Sequence, residues 1–505
     1  MREPIGSFCL VLHTHLPWLN HHGSWPVGEE WLYQAWANSY DPLVSMLHRL
    51  AEAGQQDMLT LGITPVLAAQ LDDPYTRTAH QTWLADWFWR ATEMTTAADP
   101  TTRRLGTWEA ERANAAMERF ETTWRGGASP ALRPLADAGV VELLGGPAAH
   151  PFQPLRDERM VAFQLELGLD DARLRLGRQP AGIWAPECGY RPGLAKAYAQ
   201  AGVSHFMMDG PSLRHVGADT HQAHPIAGTD VVAFGRDLDV TYRVWSPKRG
   251  YPGGKWYRDF HTHNHQYGFR HSRVTSRSTP SSEKLPYEPA KAAVAVQRDV
   301  ADFVDTVVDR LTAIQSVTGS PGMTVAAYDT ELFGHWWLEG PEWLEQVLTE
   351  LPKAGVNVTT LAGAIEAGHV GAPIAPESGS WGLGKDWHIW DGPAVRPIVA
   401  DLATAEGRVL DYLKGVAADG GRNVVADQLV RNLVLAQASD WAFMVSHESA
   451  ADYAWQRHAA HISAVHELAD CVTAVGWDGS AALALAERQR ATDGPFGHLD
   501  ARRLA

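Results

Sequence analysis

Short apolar runs alternate with amphipathic segments along most of the chain, which is the pattern of β-strands followed by α-helices. Apolar runs that predict buried strands occupy residues 7–12, 58–62, 140–144, 182–184, 203–208, 323–328 and 356–361. Helical spacing of apolar residues follows at about 157–177, 192–201, 290–315 and 341–351. Repeated strand–helix units predict an α/β fold with a parallel sheet, either open or closed into a barrel.

The helix after the first strand is marked at both ends by its sequence. Asp41 is expected to be its N-cap, Pro42 its first helical residue and Gly54 the residue just past its end. Apolar residues between these positions recur at helical spacing. This pattern predicts a helix that begins at Asp41 and ends shortly before Gly54.

Two segments interrupt the alternation, and a third ends it. Residues 75–130 are charged, rich in Trp and helical in pattern, so we expect a helical insertion. Residues 246–289 are rich in Gly, Pro, Ser, His and Tyr without periodicity, which is typical of a functional or mobile segment. The last part of the chain has only helical patterns, at about 400–417, 423–438 and 452–475. We therefore expect a catalytic domain of residues 1–74 and 131–390, and a C-terminal helical domain of residues 391–505.

Composition excludes several functional classes. The chain has 43 Lys+Arg against 59 Asp+Glu and a formal net charge of −16. Because no basic cluster interrupts this acidic balance, we expect no nucleic acid partner. The N-terminus lacks the apolar core of a signal peptide and no run of about 18 apolar residues occurs, so we expect a cytoplasmic protein without a membrane partner. A monomer or a small homo-oligomer is expected.

Tryptophan is more abundant than either of the other large aromatic residues, with 21 Trp against 13 Phe and 13 Tyr. A flat indole suits the face of a sugar ring and carries one N–H donor. The same residues could equally fill a core. The count therefore favours a carbohydrate ligand without deciding which tryptophans would touch it.

Polar side chains directly follow three of the predicted strands. His13 and His15 follow the first strand, Glu187 the fourth and Asp329 the sixth. In a parallel barrel these strand ends share one rim, where the active sites of such folds lie. Two carboxylates facing one site allow glycoside chemistry, because one attacks the anomeric carbon and the other protonates the leaving oxygen. A structural salt bridge or a helix cap is the competing interpretation of each carboxylate.

The spacing of His13 and His15 has a second interpretation. Alternate residues of a strand point the same way, so both imidazoles could bind a catalytic metal, as in metal-dependent carbohydrate deacetylases. The sequence does not identify a strand-borne Asp or Glu that would complete the metal shell. A metal-dependent deacetylase stays an alternative from a different class.

Five strings resemble, in order, the motifs of glycoside hydrolase family 57. They are residues 13–17 (HTHLP), 142–150 (ELLGGPAAH), 184–190 (WAPECGY), 329–341 (DTELFGHWWLEGP) and 439–444 (SDWAFM). Leu16 stands where the general family pattern has Gln, and Cys188 follows the motif Glu. Both features are typical of the branching-enzyme group of the family. The likeness runs from His13 to about residue 445.

The resemblance implies a seven-stranded (β/α) barrel with a helical insertion and a C-terminal all-helical domain. It also implies a retaining mechanism with neither metal nor organic cofactor, with Glu187 as the nucleophile and Asp329 as the general acid/base. The residues that it implies for glucan binding are His13, His15, Trp31, His150, Trp184, Tyr251, Trp381, Trp390 and Asp440. Tyr251, with Tyr257 as a substitute, is expected on a mobile loop that closes over the site.

Hydrolysis and branching would share a glucosyl intermediate on Glu187, so the two carboxylates do not choose between them. A transferase must exclude water and hold an acceptor chain. A loop in the irregular segment would cover the site, and the tryptophans would stack on the sugar rings. We therefore expect an α-1,4-glucan as donor and acceptor, and transfer to a 6-hydroxyl. An α-amylase, a 4-α-glucanotransferase and a non-catalytic glucan-binding protein stay as further alternatives.

Overall fold

The computed structural model describes residues 3–416, 421–473 and 479–504. Its strands are β1 (Gly6–Thr14), β2 (Leu59–Ile63), β3 (Val141–Leu144), β4 (Gly182–Ile183), β5 (His205–Met208), β6 (His224–Pro225), β7 (Val232–Gly235), β8 (Gly322–Asp329) and β9 (Asn357–Thr359). Its helices are α1 (Glu29–Ala35), α2 (Asp41–Glu52), α3 (Pro65–Asp72), α4 (Pro74–Met94), α5 (Pro100–Arg119), α6 (Ala128–Asp137), α7 (Glu158–Leu176), α8 (Leu194–Gln200), α9 (Gly210–Arg214), α10 (Leu238–Trp245), α11 (Pro289–Thr318), α12 (Gly340–Glu350), α13 (Leu361–Glu366), α14 (His388–Asp391), α15 (Arg396–Val416), α16 (Val424–Ala436), α17 (Ser439–Ser446), α18 (Ala451–Thr473) and α19 (Gly479–Thr492). The predicted α/β class is confirmed.

Strand β1 lies at the centre of the first sheet. The strand order is β3-β2-β1-β8 with all pairs parallel, and β9 also pairs with β1. Every residue of β1 is buried, which explains its unbroken apolar run. The register sets His13 between Asp329 of β8 and Gly62 of β2. The carboxyl ends of these strands therefore meet at one edge.

The second sheet has the order β4-β5-β7-β6, with β6 antiparallel to β7 and the other pairs parallel. Backbone hydrogen bonds join it to the first sheet on both flanks. Gly145, just after β3, donates to the Gly182 oxygen and accepts from the Trp184 amide, each at 3.0 Å. On the other flank the Asp237 amide, just after β7, donates to the Val325 oxygen of β8 at 2.8 Å. These bonds bring the end of β4 close to the ends of β1 and β8.

The prediction that Asp41 caps a helix is wrong. Helix α1 continues through a π-helical turn at Trp36–Tyr40 into α2, so Asp41 is the first residue of α2 but lies within a continuous helical path and caps no free helix start. The buried Asp41 carboxylate instead accepts hydrogen bonds from Arg119 Nε (2.7 Å) and Trp124 Nε1 (3.2 Å). A side chain that the local pattern assigns to a cap thus makes a tertiary contact.

Residues 75–130 are largely helical, as the pattern predicts. Asp73 accepts the Tyr75 amide (2.8 Å) at the start of α4, and Asp99 accepts the Thr102 amide (2.7 Å) at the start of α5. Each Asp is followed by a proline at the first helical position. Because both helices have a side-chain cap of their own, their starts are set locally by the sequence.

The C-terminal helices share one apolar core with α3 and α7, and they also reach the loop after β3. Leu402 of α15, Leu433 of α16 and Leu468 of α18 share this core. At the start of α17, the Ser439 amide donates to the His150 carbonyl (3.0 Å), in the loop after β3. The helix predictions also covered residues 417, 474 and 475, which lie outside the described residues.

Two further facts concern the cysteines and the lengths of the helices. Cys9, Cys188 and Cys471 are free thiols. None of the described helices combines the length and the apolar character needed to cross a bilayer.

Candidate active site

The loop after β4 holds Glu187 in a strained backbone conformation. Glu187 (φ 60°) and Cys188 (φ 48°) both lie in the left-handed region, within a short 3-10 turn that begins at Pro186. Residues other than glycine rarely adopt this region, and such strain clusters at functional sites. The Glu187 carbonyl accepts the Trp381 amide (2.9 Å), which ties this turn to the segment before α14.

Both oxygens of the Glu187 carboxylate accept a hydrogen bond. Ser439 Oγ donates to Oε1 (2.7 Å), and Trp381 Nε1 donates to Oε2 (2.8 Å). Burial raises the pKa of Glu187 to about 7, although both hydrogen bonds favour the ionised form. A desolvated carboxylate that is still held in its charged form is a candidate nucleophile.

Asp329 ends β8 and lies beside His13 in the sheet. No donor among the described residues hydrogen-bonds its carboxyl group. Burial and the negative charge of Glu187 raise the pKa of Asp329 to about 7, and the Arg236 guanidinium opposes this shift. The two carboxyl groups therefore interact, and the one without donors is the one that keeps a proton.

Three histidine rings and one indole pack beside the two carboxyl groups. Between ring centroids, His13 lies 4.4 Å from Trp184 and His15 lies 3.8 Å from His150. His13 Nε2 and His150 Nε2 are 3.0 Å apart, and His150 Nδ1 is 2.9 Å from Ser439 Oγ. Burial lowers the pKa of His13 and of His150 well below the usual histidine value, so both rings are neutral.

His15 differs from the other two histidines because it faces carboxylates. Its Nε2 lies 3.0 Å from Asp440 Oδ2, and its Nδ1 lies 2.9 Å from Thr64 Oγ1. Burial disfavours the charged form of His15, but the charge and hydrogen bond of Asp440, together with the negative charges of Glu187 and Glu331, outweigh burial and raise the pKa of His15.

The alternative of a metal site involves a different set of residues from the one expected. The ligand atoms of His15, His150 and Asp440 lie within 4.8 Å of one another, and these residue types suit a transition metal. His13 is outside this set, because its Nε2 faces the His150 ring. The set that the structure brings together therefore shares only His15 with the pair expected from the sequence.

The remaining aromatic residues expected at the glucan site differ in their exposure to solvent. Trp31, on α1, is partly exposed. Trp390 is 2% exposed and stacks on Phe152 with 4.5 Å between ring centroids, which leaves no open face for a sugar. Tyr251 and Tyr257 are 8% and 0% exposed. Of these four residues, only Trp31 has open surface in this conformation.

Helix α11 anchors both candidates for the mobile-loop tyrosine. The Tyr251 hydroxyl donates to Asp302, and the Tyr257 hydroxyl donates to Asp299 at 2.6 Å. Both acceptors are carboxylates on α11. The irregular segment is thus fixed to the fold at these two points in this conformation.

Three polar side chains at the site were not among the expected residues. Ser439 bonds the Glu187 carboxylate, and Glu331 follows Asp329 by two positions. Arg236, just after β7, is buried, and its Cζ lies 5.3 Å from the centroid of the Trp381 ring. Ser439 and Glu331 both lie inside motif strings, which is the signal that could have found them. Strand β7 was not predicted, so nothing pointed to Arg236.

Two family models match the chain, one after the other. Residues 9–372 match glycosyl hydrolase family 57. The chain belongs to glycosyl hydrolase family 57. Residues 401–503 match the C-terminal region of 1,4-alpha-glucan branching enzymes, which includes helices α16 to α19.

Relatives in family 57 match nearly the whole chain. A probable 1,4-alpha-glucan branching enzyme of Mycobacterium tuberculosis is 51% identical over 524 residues, which cover 99% of this chain and 98% of that protein. The 1,4-alpha-glucan branching enzyme of Thermococcus kodakarensis is 32% identical over 531 residues, which cover 97% of this chain and 77% of that protein.

Solved structures of family 57 share the fold. The branching enzyme from Thermococcus kodakaraensis, in complex with glucose, superposes with a TM-score of 0.93 at 30% identity, covering 99% of this chain and 96% of that chain. An alpha-amylase from Thermotoga maritima superposes with a TM-score of 0.88 at 25% identity, covering 99% of each chain. The fold alone therefore does not separate branching from hydrolysis within the family.

Proposed function

We propose that this chain is a 1,4-α-glucan branching enzyme that works by a retaining double displacement on Glu187 and Asp329. Its C-terminal region matches that of branching enzymes, and relatives 51% and 32% identical to it carry that description. One observation supports the chemistry most directly: a buried carboxylate that accepts two hydrogen bonds is coupled to a second carboxyl group that accepts none. An α-1,4-glucan is both donor and acceptor, and no cofactor takes part.

In the first step the ionised Glu187 attacks the anomeric carbon of an α-1,4-linked glucose unit. Asp329 gives its proton to the leaving 4-oxygen, so the rest of the chain departs as an alcohol. A glucosyl ester on Glu187 remains, and Asp329 is left ionised. The raised pKa of Asp329 lets it carry this proton near neutral pH.

In the second step Asp329 takes the proton from the 6-hydroxyl of an acceptor glucan. The acceptor oxygen attacks the anomeric carbon from the face opposite the ester and displaces the Glu187 carboxylate. Two inversions give an α-1,6 bond with net retention. Water in place of the acceptor would give hydrolysis, so the product depends on which oxygen reaches the ester first.

The side chains that pack around the carboxyl pair are our proposed glucan contacts. They are His13, His15, His150, Trp184, Trp381 and Asp440. Trp31 joins them because part of its ring is exposed. For Trp390 and Tyr251 we propose a supporting role in the walls of the site, since both rings are buried.

The same family assignment supports our proposal for the architecture. The backbone bonds of Gly145 and Asp237 at the two flanks favour closure of the sheets into a seven-stranded (β/α) barrel. Residues 75–130 would form the helical insertion and residues 391–505 the C-terminal domain. A cytoplasmic location and a monomeric or small homo-oligomeric state are proposed from composition alone.

A metal-dependent deacetylase would need His15, His150 and Asp440 as its ligands. Membership of family 57 does not favour this alternative. We expect branching activity to survive prolonged treatment with EDTA, because the proposed steps use only carboxyl groups. A loss of activity that zinc restores would instead favour the metal-dependent alternative.

Two signals on linear amylose separate branching from the other activities of the fold. Branching shortens the linear segments, so the iodine colour should fall while the number of reducing ends stays constant. A debranching enzyme should then release new reducing ends from the product. An immediate rise in reducing ends would indicate an amylase, and constant reducing ends without any release on debranching would indicate a 4-α-glucanotransferase.

A further inference from the structure

Ser439 joins the expected nucleophile to one of the neutral histidines. The residue is 2% exposed and begins α17. Its hydroxyl lies 2.7 Å from Glu187 Oε1 and 2.9 Å from His150 Nδ1. Its amide also donates to the His150 carbonyl (3.0 Å). A residue of the C-terminal helices is therefore fixed between two groups in the loops that follow β3 and β4.

The single proton of a hydroxyl sets the direction of the bonds around Ser439. An ionised carboxylate only accepts, so Ser439 donates to Glu187 and accepts from His150 Nδ1–H. Because His150 is neutral, its Nε2 is bare and accepts from His13 Nε2–H at 3.0 Å. His13 is neutral too, and its bare Nδ1 is buried without a hydrogen-bond partner. The chain of three bonds thus points from His13 to Glu187.

We propose that Ser439 is a positioning residue, which keeps Glu187 ionised for attack and fixes His150 as its Nδ1–H tautomer. This inference rests on Glu187 being the nucleophile. The hydroxyl stabilises the charged carboxylate, and the histidine tautomers follow from that direction. The C-terminal helices then complete the catalytic site itself and are not only an appended domain.

Other titratable groups also lie near Glu187, and a test by pH profile must keep their effect on its pKa unchanged. Asp440 on α17 raises the Glu187 pKa, and His15, just after β1, lowers it. His150 Nδ1 lies 4.0 Å from Glu187 Oε1 but is neutral, and Asp329 on β8 is coupled to Glu187. The substitutions below leave all four of these side chains in place, so a change in the pH profile reports on the hydroxyl.

The test compares Ser439→Ala with Ser439→Thr in the full-length protein. The Ala variant loses the donor to Glu187, so the acidic limb of kcat/KM should move up by about one pH unit. The rate should fall about fivefold near neutral pH and about tenfold at pH values well below the limb, because less Glu187 is ionised. Thr keeps the hydroxyl and should restore the wild-type limb. Ser446→Ala is the matched control, because Ser446 on the same helix donates to the Ile389 carbonyl (2.5 Å), away from the catalytic pair.

Two results would overturn the inference. One is a Ser439→Ala variant that loses activity while its acidic limb stays at the wild-type pH, because this indicates a merely structural role. The other is a Thr variant that shifts the limb as far as Ala does. If the Ala variant does not fold, Ser439→Cys replaces it, since a thiol is a weaker donor and should shift the limb in the same direction. Wild-type activity in Glu187→Gln would reject the proposed function instead, whatever Ser439 does.

Discussion

At the scale of single residues, hydrogen bonds decide which carboxyl group of the pair gives up its proton first. Burial raises the pKa of both Glu187 and Asp329 to about 7, so burial does not distinguish them. Ser439 and Trp381 stabilise only the ionised form of Glu187. The roles of nucleophile and acid therefore follow from where the donors lie.

Replacing either carboxyl group by an amide should nearly abolish branching. Glu187→Gln removes the attacking oxygen charge, and Asp329→Asn removes the transferable proton. We expect each to lower kcat/KM by about 10³-fold or more while the fold stays intact by circular dichroism. Glu111→Gln, on an exposed part of α5, is the matched control and should behave as wild type. Activity within tenfold of wild type in either amide variant would contradict the assignment.

A third buried carboxyl group makes the stability of the protein depend on pH. Glu331 accepts hydrogen bonds from the Tyr40 hydroxyl (2.5 Å) and the His15 amide (3.2 Å). Burial and the charge of Asp329 raise its pKa from 4.5 to about 8. The folded protein therefore binds this proton more tightly than the unfolded chain does. The stability that this provides is fully present below about pH 4.5 and is lost as pH rises towards about 8, by up to about 1.4 kcal/mol per pH unit.

Glu331→Gln tests this dependence because an amide resembles the protonated carboxyl group. The Tm of the variant should match that of wild type at pH 5 and exceed it at pH 8.5. Thermal unfolding at both pH values, followed by circular dichroism, measures the difference. A Tm of the variant that falls below wild type at pH 8.5 would mean that Glu331 is ionised and stabilising in the folded protein.

The two carboxyl residues of the site could be identified from their positions in the sequence, whereas other features of the site depend on tertiary structure. Glu187 and Asp329 were identifiable because each directly follows a buried strand. Ser439 lies 252 residues from its partner Glu187, and only the folded chain brings the two together. Trp390 and Tyr251 were expected to be open to glucan, but residue type does not show whether neighbouring side chains cover a ring.

At the scale of elements, the segment between β9 and α14 shapes the site through Trp381. Its backbone amide and its indole N–H both bond Glu187. The indole ring also packs against Trp184 at 5.1 Å between centroids. The segment therefore fixes both the turn and the carboxylate of Glu187.

Trp381→Phe should separate these contributions, because it keeps an aromatic ring and the backbone bond but loses the indole donor. We expect kcat to fall about tenfold, since one charge-assisted hydrogen bond is lost. Trp387→Phe is the control within the same segment, because the Trp387 indole donates to the Gly379 carbonyl (3.2 Å). Initial rates on amylose measure both variants. Equal rates for the two variants would mean that the bond to Glu187 has no special role.

Most strands were predictable from their apolar runs, and tertiary contacts were not. β1 and β8 were found from their apolar runs because both faces of each strand are buried. β7 was missed, although β3 and β5, which have the same length of four residues, were found from their apolar runs. At Asp41 the capping pattern failed, because Arg119 and Trp124 bind the carboxylate from a distant part of the chain.

At the scale of the whole molecule, the C-terminal helices and the first sheet share one site. Asp440 bonds His15 across 425 residues of sequence, and Ser439 bonds Glu187. The tryptophan count is explained in two ways. Seven tryptophans are among the largest fully buried side chains, so packing accounts for many of them, while Trp381 bonds the proposed nucleophile.

The most direct test of branching is the proton NMR spectrum of amylose incubated with the protein. We predict a growing anomeric signal of α-1,6 linkages while the reducing-end signals stay constant, and no change with Glu187→Gln. Growth of reducing-end signals alone, without any α-1,6 signal, would contradict this prediction.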